Sequence, residues 1–280
     1  MPHHFTVDVE EHFQVLALAP YVSRERWDVL ESRVEANVDR LLGLLARHGA
    51  TGTFFTLGWV AERHPEMVRR IAAAGHEVAS HGWDHRRATE LTPDEFRDQA
   101  RRSKALLELL SGRPCVGYRA PSYSITRGTE WALDVLVEEG YRYDSSLFPV
   151  RRGGYGYAGG ERDPHTLERP GGRLLEVPPS TVRLGGLTLP AAGGAYFRLL
   201  PYALVRAGLR EAAARGRPGT FYVHPWEYDA DQPVFPVGPA TRLRHYGNLK
   251  GVWGRLERLL GEFRFTSILA NLDAGVRSAA

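Results

Sequence analysis

The chain has 280 residues, 43% hydrophobic and 25% charged, with 36 Lys+Arg against 33 Asp+Glu. That composition allows a sizeable buried core, and a net charge of +3 is too small to imply a nucleic-acid partner. The single cysteine, Cys115, excludes an intramolecular disulfide and reads as a buried, inert thiol.

The first strand starts almost at once, near Phe5. No charged and apolar leader precedes it, and no run reaches the roughly 18 apolar residues of a membrane helix. The expectation is a cytoplasmic protein without a signal peptide or membrane span. A helix over Arg33–His48 ends at Gly49 and gives way to a strand at Thr53. A second, Pro65–Ala74, ends at Gly75 before a strand at Glu77, and a further strand begins near Val116. The helix Thr129–Glu139 ends at Gly140 before a strand at Tyr141, and another strand follows near Leu174. Tyr202–Arg215 ends at Gly216 before a strand at Thr220, with an eighth strand conceivable over Phe263–Leu269. Each glycine supplies the left-handed residue that ends a helix, and the alternation predicts parallel βαβ units. Seven or eight strands suit a (β/α) barrel better than a doubly wound sheet. No Gly-rich phosphate loop follows any strand. Arg151–Gly172, Gly-rich with Tyr155 and Tyr157, reads as a long surface loop, either covering an active site or a disordered excursion. No composition shift marks a boundary, so residues 1–280 are expected to form one domain.

The polar residues that end the strands carry the chemistry. In a (β/α) barrel the C-terminal strand ends open on one face. Here they bear Asp8, Glu10 and Glu11; His81 and His85; Arg119; Asp144; and His224. His81 and His85 are spaced i, i+4, which at the start of a helical turn presents two imidazoles to one ion. The spacing alone is weak, but two His plus a carboxylate with open positions is a catalytic metal arrangement. Asp8 and Glu10, two apart on a strand, share a face, so one carboxylate could bind metal while the other takes a proton from its water. Glu11 fits a helix N-terminus better, whereas Asp8 lies inside an apolar run and needs a partner.

With these residues the sequence resembles the NodB-type polysaccharide deacetylases, carbohydrate esterase family 4. The likeness rests on Thr6-Val7-Asp8-Val9-Glu10, on His81 to His85, on Arg119-Ala120-Pro121 and on Tyr222-Val223-His224, in that order. It implies an α/β fold, a distorted (β/α)7 barrel. It also implies a hydrolase that removes acetyl groups from an N-acetylated oligo- or polysaccharide. Asp8 would be the general base, Arg119 would hold it, and His224 would be the general acid. The family's metal-binding acid usually follows the base directly; position 9 is Val, so Glu10 is assigned with His81 and His85. The implied metal is Zn²⁺ foremost, with Co²⁺ or Ni²⁺ as alternatives. The acid that orients the general acid maps to Asp144, with Glu176 as its rival. Asp8-Val9-Glu10-Glu11-His12-Phe13-Gln14-Val15 and Arg244-His245-Tyr246 resemble a branch associated with bacterial exopolysaccharide and exosortase loci. That branch has a C-terminal extension, here about Tyr196–Glu262. Tyr123 and Trp226 are the substrate-binding candidates; Tyr228 and Tyr246 are divided between sugar stacking and core packing. Two other readings keep the fold: hydrolysis of small cyclic amides or ureides, and glycan binding without catalysis.

Overall fold

In a computed structural model, which describes residues 1–152 and 155–279, the opening strand β1 (His3–Val9) is buried at every position. A parallel strand covered on both faces must be. It is followed by α1 (Val34–Arg47), β2 (Thr53–Thr56), α2 (Gly58–Arg63), α3 (Pro65–Ala73), β3 (Glu77–Ser80), α4 (Pro93–Ser111), β4 (Gly117–Tyr118), α5 (Trp131–Glu138) and β5 (Tyr143–Asp144). The second half runs β6 (His165–Arg169), β7 (Gly172–Glu176), β8 (Thr181–Leu184), β9 (Leu187–Pro190), α6 (Gly194–Leu199), α7 (Tyr202–Ala214), β10 (Thr220–Val223), α8 (Pro239–Tyr246), α9 (Leu249–Glu262), β11 (Phe265–Thr266) and α10 (Ile268–Ala279).

The four expected glycine-capped helices are α1, α3, α5 and α7, each within two residues of its expected ends. The glycines after them have positive φ, from 59° at Gly49 to 84° at Gly75. The sequence pattern did not mark α4, which starts on a reciprocal cap: Thr92 Oγ1 accepts from Glu95 N at 3.3 Å and Glu95 Oε2 from Thr92 N at 2.8 Å.

The sheet order is β10-β1-β2-β3-β4-β5-β7-β6, with β11 paired to the first residues of β1. Every pairing is parallel except β6–β7. The seven parallel strands of the main path are the seven expected, and β11 is the eighth. Among the described residues no ladder joins β7 to β10. That gap is spanned at Ser180, whose N donates to Thr220 O at 3.0 Å and whose Oγ accepts from Thr220 N at 2.7 Å. The stretch read as one long loop, Arg151–Gly172, contains strand β6, and the β8–β9 hairpin stands outside the main sheet. Strand alternation sets what faces where. Phe5, Val7, Val9, Phe54 and Phe221 join the large core with the helices. Thr6 and Asp8 point the other way, into the interior that also holds Phe55, Ala79 and Tyr143. Cys115 is fully buried, and burial pushes its thiol pKa up. Among the described residues no helix is long and apolar enough to cross a membrane.

Candidate active site

Period-two alternation puts Thr6, Asp8 and Glu10 on one side of β1 and its extension. Opposite them Arg119, fully buried at the end of β4, donates from one guanidinium nitrogen to Thr6 Oγ1 at 2.8 Å and to Asp8 Oδ1 at 2.6 Å. Its other nitrogens donate to Ser145 O at 3.3 Å and Ser145 Oγ at 2.9 Å. Burial disfavours its charge, but the Asp8 carboxylate together with Tyr123 and Tyr143 outweighs this and the guanidinium pKa rises. Asp8 is thus a fixed acceptor with one oxygen, Oδ2, left for the cleft.

Glu10 follows β1 directly and meets the two histidines. Its Oε2 lies 2.8 Å from His85 Nε2 and 4.0 Å from His81 Nε2. Within this group each residue offers a donor atom less than 4.8 Å from the others'. The i, i+4 spacing does not arise from a helical turn, as the sequence suggested. Residues 81–87 are irregular, and His85 sits in the left-handed region at φ 59°. The loop is pinned from outside, because Gly58 N and Trp59 N donate to Gly82 O and Trp83 O, both at 2.9 Å. A non-glycine residue at positive φ is uncommon and costs free energy, so its neighbours must impose it.

The donor set fits a divalent cation. Glu10 Oε2 is buried without a well-directed hydrogen bond despite its closeness to His85. His81 Nδ1 bonds Arg119 O at 2.7 Å, which fixes the tautomer and leaves the Nε2 lone pair facing Glu10. Burial, with His85, lowers His81 to about 4 against the pull of Asp8 and Glu10, so it is neutral as a ligand must be. Burial would raise Glu10, but His85, His224 and His81 hold it well below the usual carboxylate range. Its second oxygen accepts from Trp226 Nε1 at 3.0 Å.

His224, just past β10, completes the floor. Its Nε2 is 3.8 Å from Asp8 Oδ2 and 3.8 Å from Glu10 Oε1. Its Nδ1 faces Glu227 Oε2 at 3.0 Å, and the same oxygen accepts from His224 N at 3.1 Å. Glu227 in turn accepts from the buried Arg198 at 2.7 Å. Burial alone would lower His224, yet Glu10, Glu227 and Asp8 together raise it to about 9.

The acid on His224 is therefore neither Asp144 nor Glu176. Asp144 lies outside the cleft: its Oδ1 accepts from Ser146 Oγ at 2.6 Å, and Ser146 Oγ accepts from Ala120 N at 2.8 Å. Glu176 accepts from Leu147 N at 3.1 Å, and burial beside Asp144 pushes its pKa well up. This pair shapes the 145–147 segment that carries Arg119's acceptors. Glu11 heads no helix of its own; it accepts from Arg33 N at 3.1 Å, just before the distant α1.

A cleft of about 570 Å³ opens above this floor, and its lining also includes Arg152, Tyr155, Tyr196 and Arg244. Tyr123 lines it with a buried hydroxyl lacking a partner. Trp226 also lines it, but only 4% is exposed, its N–H is committed to Glu10, and its ring stacks on His224 and His245 at 5.1 and 4.5 Å. It supports the acidic cluster rather than offering an open platform for a sugar. Tyr228 is buried, donating to Asn37 O at 3.0 Å, and Tyr246 accepts from Phe235 N at 3.0 Å. Glu227 and Arg198 escaped the sequence reading. The one local signal was an acid three residues after His224 in a turn begun by Pro225.

Residues 27–143 match the model of a family described as polysaccharide deacetylase, and residues 145–272 that of a domain of unknown function, DUF3473. The peptidoglycan deacetylase of Helicobacter pylori is 32% identical over 113 residues, 40% of this chain and 38% of that protein. The peptidoglycan-N-acetylglucosamine deacetylase of Bacillus cereus is 32% identical over 96 residues, 34% of this chain and 35% of that protein. The chain spans little more than a third of the length of these curated relatives. A solved structure from Mycobacterium smegmatis, described as a polysaccharide deacetylase, is similar in fold. Its TM-score is 0.63 at 24% identity, covering 100% of this chain and 92% of that one.

Proposed function

From the premise that this chain carries a polysaccharide deacetylase domain of the NodB type, we propose that it is a metal-dependent N-deacetylase. It hydrolyses the acetamido groups of an N-acetylated glycan and releases acetate. The observation that carries this reading is the joint placement of Glu10, His81 and His85 beside an Arg119-held Asp8 and a carboxylate-flanked His224. Glu10, His81 and His85 would hold the cation, which when bound supplies Lewis acidity toward the acetamide carbonyl and lowers the pKa of its water toward ~7.

The remaining steps belong to the chain's own side chains. Asp8 Oδ2, with Oδ1 tied to Arg119, takes the proton from the attacking water. Collapse of the tetrahedral adduct breaks the C–N bond, and an amine anion is too poor a leaving group to depart unprotonated. Glu227 on Nδ1 and the nearby Asp8 carboxylate favour a protonated His224, which delivers its proton from Nε2 to the departing nitrogen. Glu227 on Nδ1 stabilises the imidazolium and holds the ring in place. Acetate release from N-acetylglucosamine oligomers, assayed with Zn²⁺ or Co²⁺ and again in excess chelator, tests the reading. Metal-restored activity is expected; full activity in chelator would sink the metal assignment.

A further inference from the structure

The cleft lining carries charges of both signs. Among the described residues its carboxylates are Asp8 and Glu10, on the floor, and the same lining carries Arg152 and Arg244. A third arginine, Arg198, is matched by Glu227 at 2.7 Å. Among the described residues, neither Arg152 nor Arg244 has a carboxylate within ion-pair distance. Both lie near Tyr155, whose hydroxyl is bonded to that of Tyr196. Arg152 also lies 5.6 Å from the centre of the Tyr196 ring.

A second observation marks the same lining, next to Arg244 in the chain. His245, beside Arg244 on α8, is 1% exposed and lines the cleft, yet neither ring nitrogen has a hydrogen-bond partner. A buried polar group left unpartnered is costly, and the ring is held in place by stacking on Trp226. Burial, with Arg198 and His12 adding to it, lowers its pKa to about 3, so it remains neutral with one N–H to donate.

We propose that the part of the lining around Arg152 and Arg244 is a subsite for an anionic substituent, a carboxylate or a phosphate, on the glycan whose acetamide reaches the floor. The inference rests on the deacetylase reading and deepens it. Arg152 and Arg244 supply the charge, and His245, next to Arg244 in sequence and stacked on Trp226, supplies a neutral donor in the same lining. Guanidinium groups suit both anions, because their paired N–H donors match two oxygens of either.

The test uses the full chain with metal and three tetrasaccharides. One is the neutral N-acetylglucosamine oligomer, one bears carboxylates on alternating N-acetylmuramic units, and one bears a 1-phosphate. At least one anionic oligomer is expected to exceed the neutral one in kcat/KM by about tenfold, mainly through KM. The preference should shrink as salt rises and collapse in R152A/R244A. Which anionic oligomer wins identifies the anion. Equal kcat/KM for all three overturns the proposal, as does a preference that survives in the double variant. If no oligomer yields acetate, the deacetylase reading fails and calorimetry on the same oligomers decides this proposal separately. Tighter, Arg-dependent binding of an anionic oligomer supports it; binding that ignores charge overturns it.

Discussion

Histidines sit buried at both ends of the parallel sheet, and the two sets live in opposite surroundings. At the N-terminal ends, His3 Nδ1 accepts from Gly219 N at 2.9 Å, His76 Nδ1 accepts from Gly52 N at 3.1 Å, and His4 Nδ1 pairs with Thr220 Oγ1 at 3.1 Å. These are uncharged stitches between the starts of neighbouring strands. At the C-terminal ends, His81, His85 and His224 each lie within 4.0 Å of a carboxylate. Burial is common to all but His224, whose side chain is 17% exposed; what separates the sets is the charge placed beside them. The sheet keeps its stabilising contacts at one end and its strained, charged ones at the other, the division expected of a (β/α) architecture.

The sharpest way to break this comparison is to mutate one histidine from each end. His81→Ala should lose bound metal and all measurable acetate release, whereas His76→Ala should keep both metal and kcat. Metal analysis alongside turnover checks it, and a metal-replete, active His81→Ala would erase the distinction. Next in size is Asp8→Asn, expected to retain metal while kcat falls by roughly 10²–10⁴-fold, the usual worth of a positioned general base. Wild-type turnover in that variant would move the base elsewhere. Glu227→Gln comes third, with kcat lowered by about 10²-fold and metal content unchanged, since a neutral amide no longer stabilises the imidazolium. A loss confined to Asp144→Asn, with Glu227→Gln fully active, would reinstate the acid suggested by sequence.

The two ends also differ in how far they could be read from sequence. The seven parallel strands were legible because each is a short β-rich run, most of them entered through a glycine cap, and the acids and histidines at their ends stood out by type. His85's left-handed backbone was not, because i, i+4 spacing imitates a helix whatever the backbone does. Arg198 reaches Glu227 from a separate helix, α6, and no local pattern announces such a pairing. Strand β6 was missed because its half-exposed His-Thr-Leu-Glu-Arg run, on a sheet edge after a Gly-rich stretch, resembles a loop. At the opposite end, His3, His4 and His76 drew no notice, since a histidine that only bonds a neighbouring strand leaves no sequence mark.

Smaller effects belong to that quiet end. His76→Ala should destabilise the fold by about 1–3 kcal/mol, because the buried Gly52 N–H loses its acceptor; thermal unfolding at neutral pH measures it.

The last effect is a pH dependence with a defined sign. Burial lowers His3 to about 4, His4 to about 3 and His76 to about 4, while the unfolded chain titrates them near the ordinary value of ~6.5. Between those values the unfolded state binds more protons than the folded one, so stability rises with pH across the window. The contribution is complete above about 6.5 and is lost progressively as pH falls toward 4. The unfolding midpoint should therefore drop between pH 7 and pH 5, before carboxylates with ordinary pKa values begin to protonate. His76→Gln keeps an acceptor for Gly52 N–H but removes one titrating ring, so its midpoint should fall less steeply over the same interval. Parallel curves for the variant and the wild type would mean that the protons are taken up elsewhere, and His76 would lose its place in the comparison.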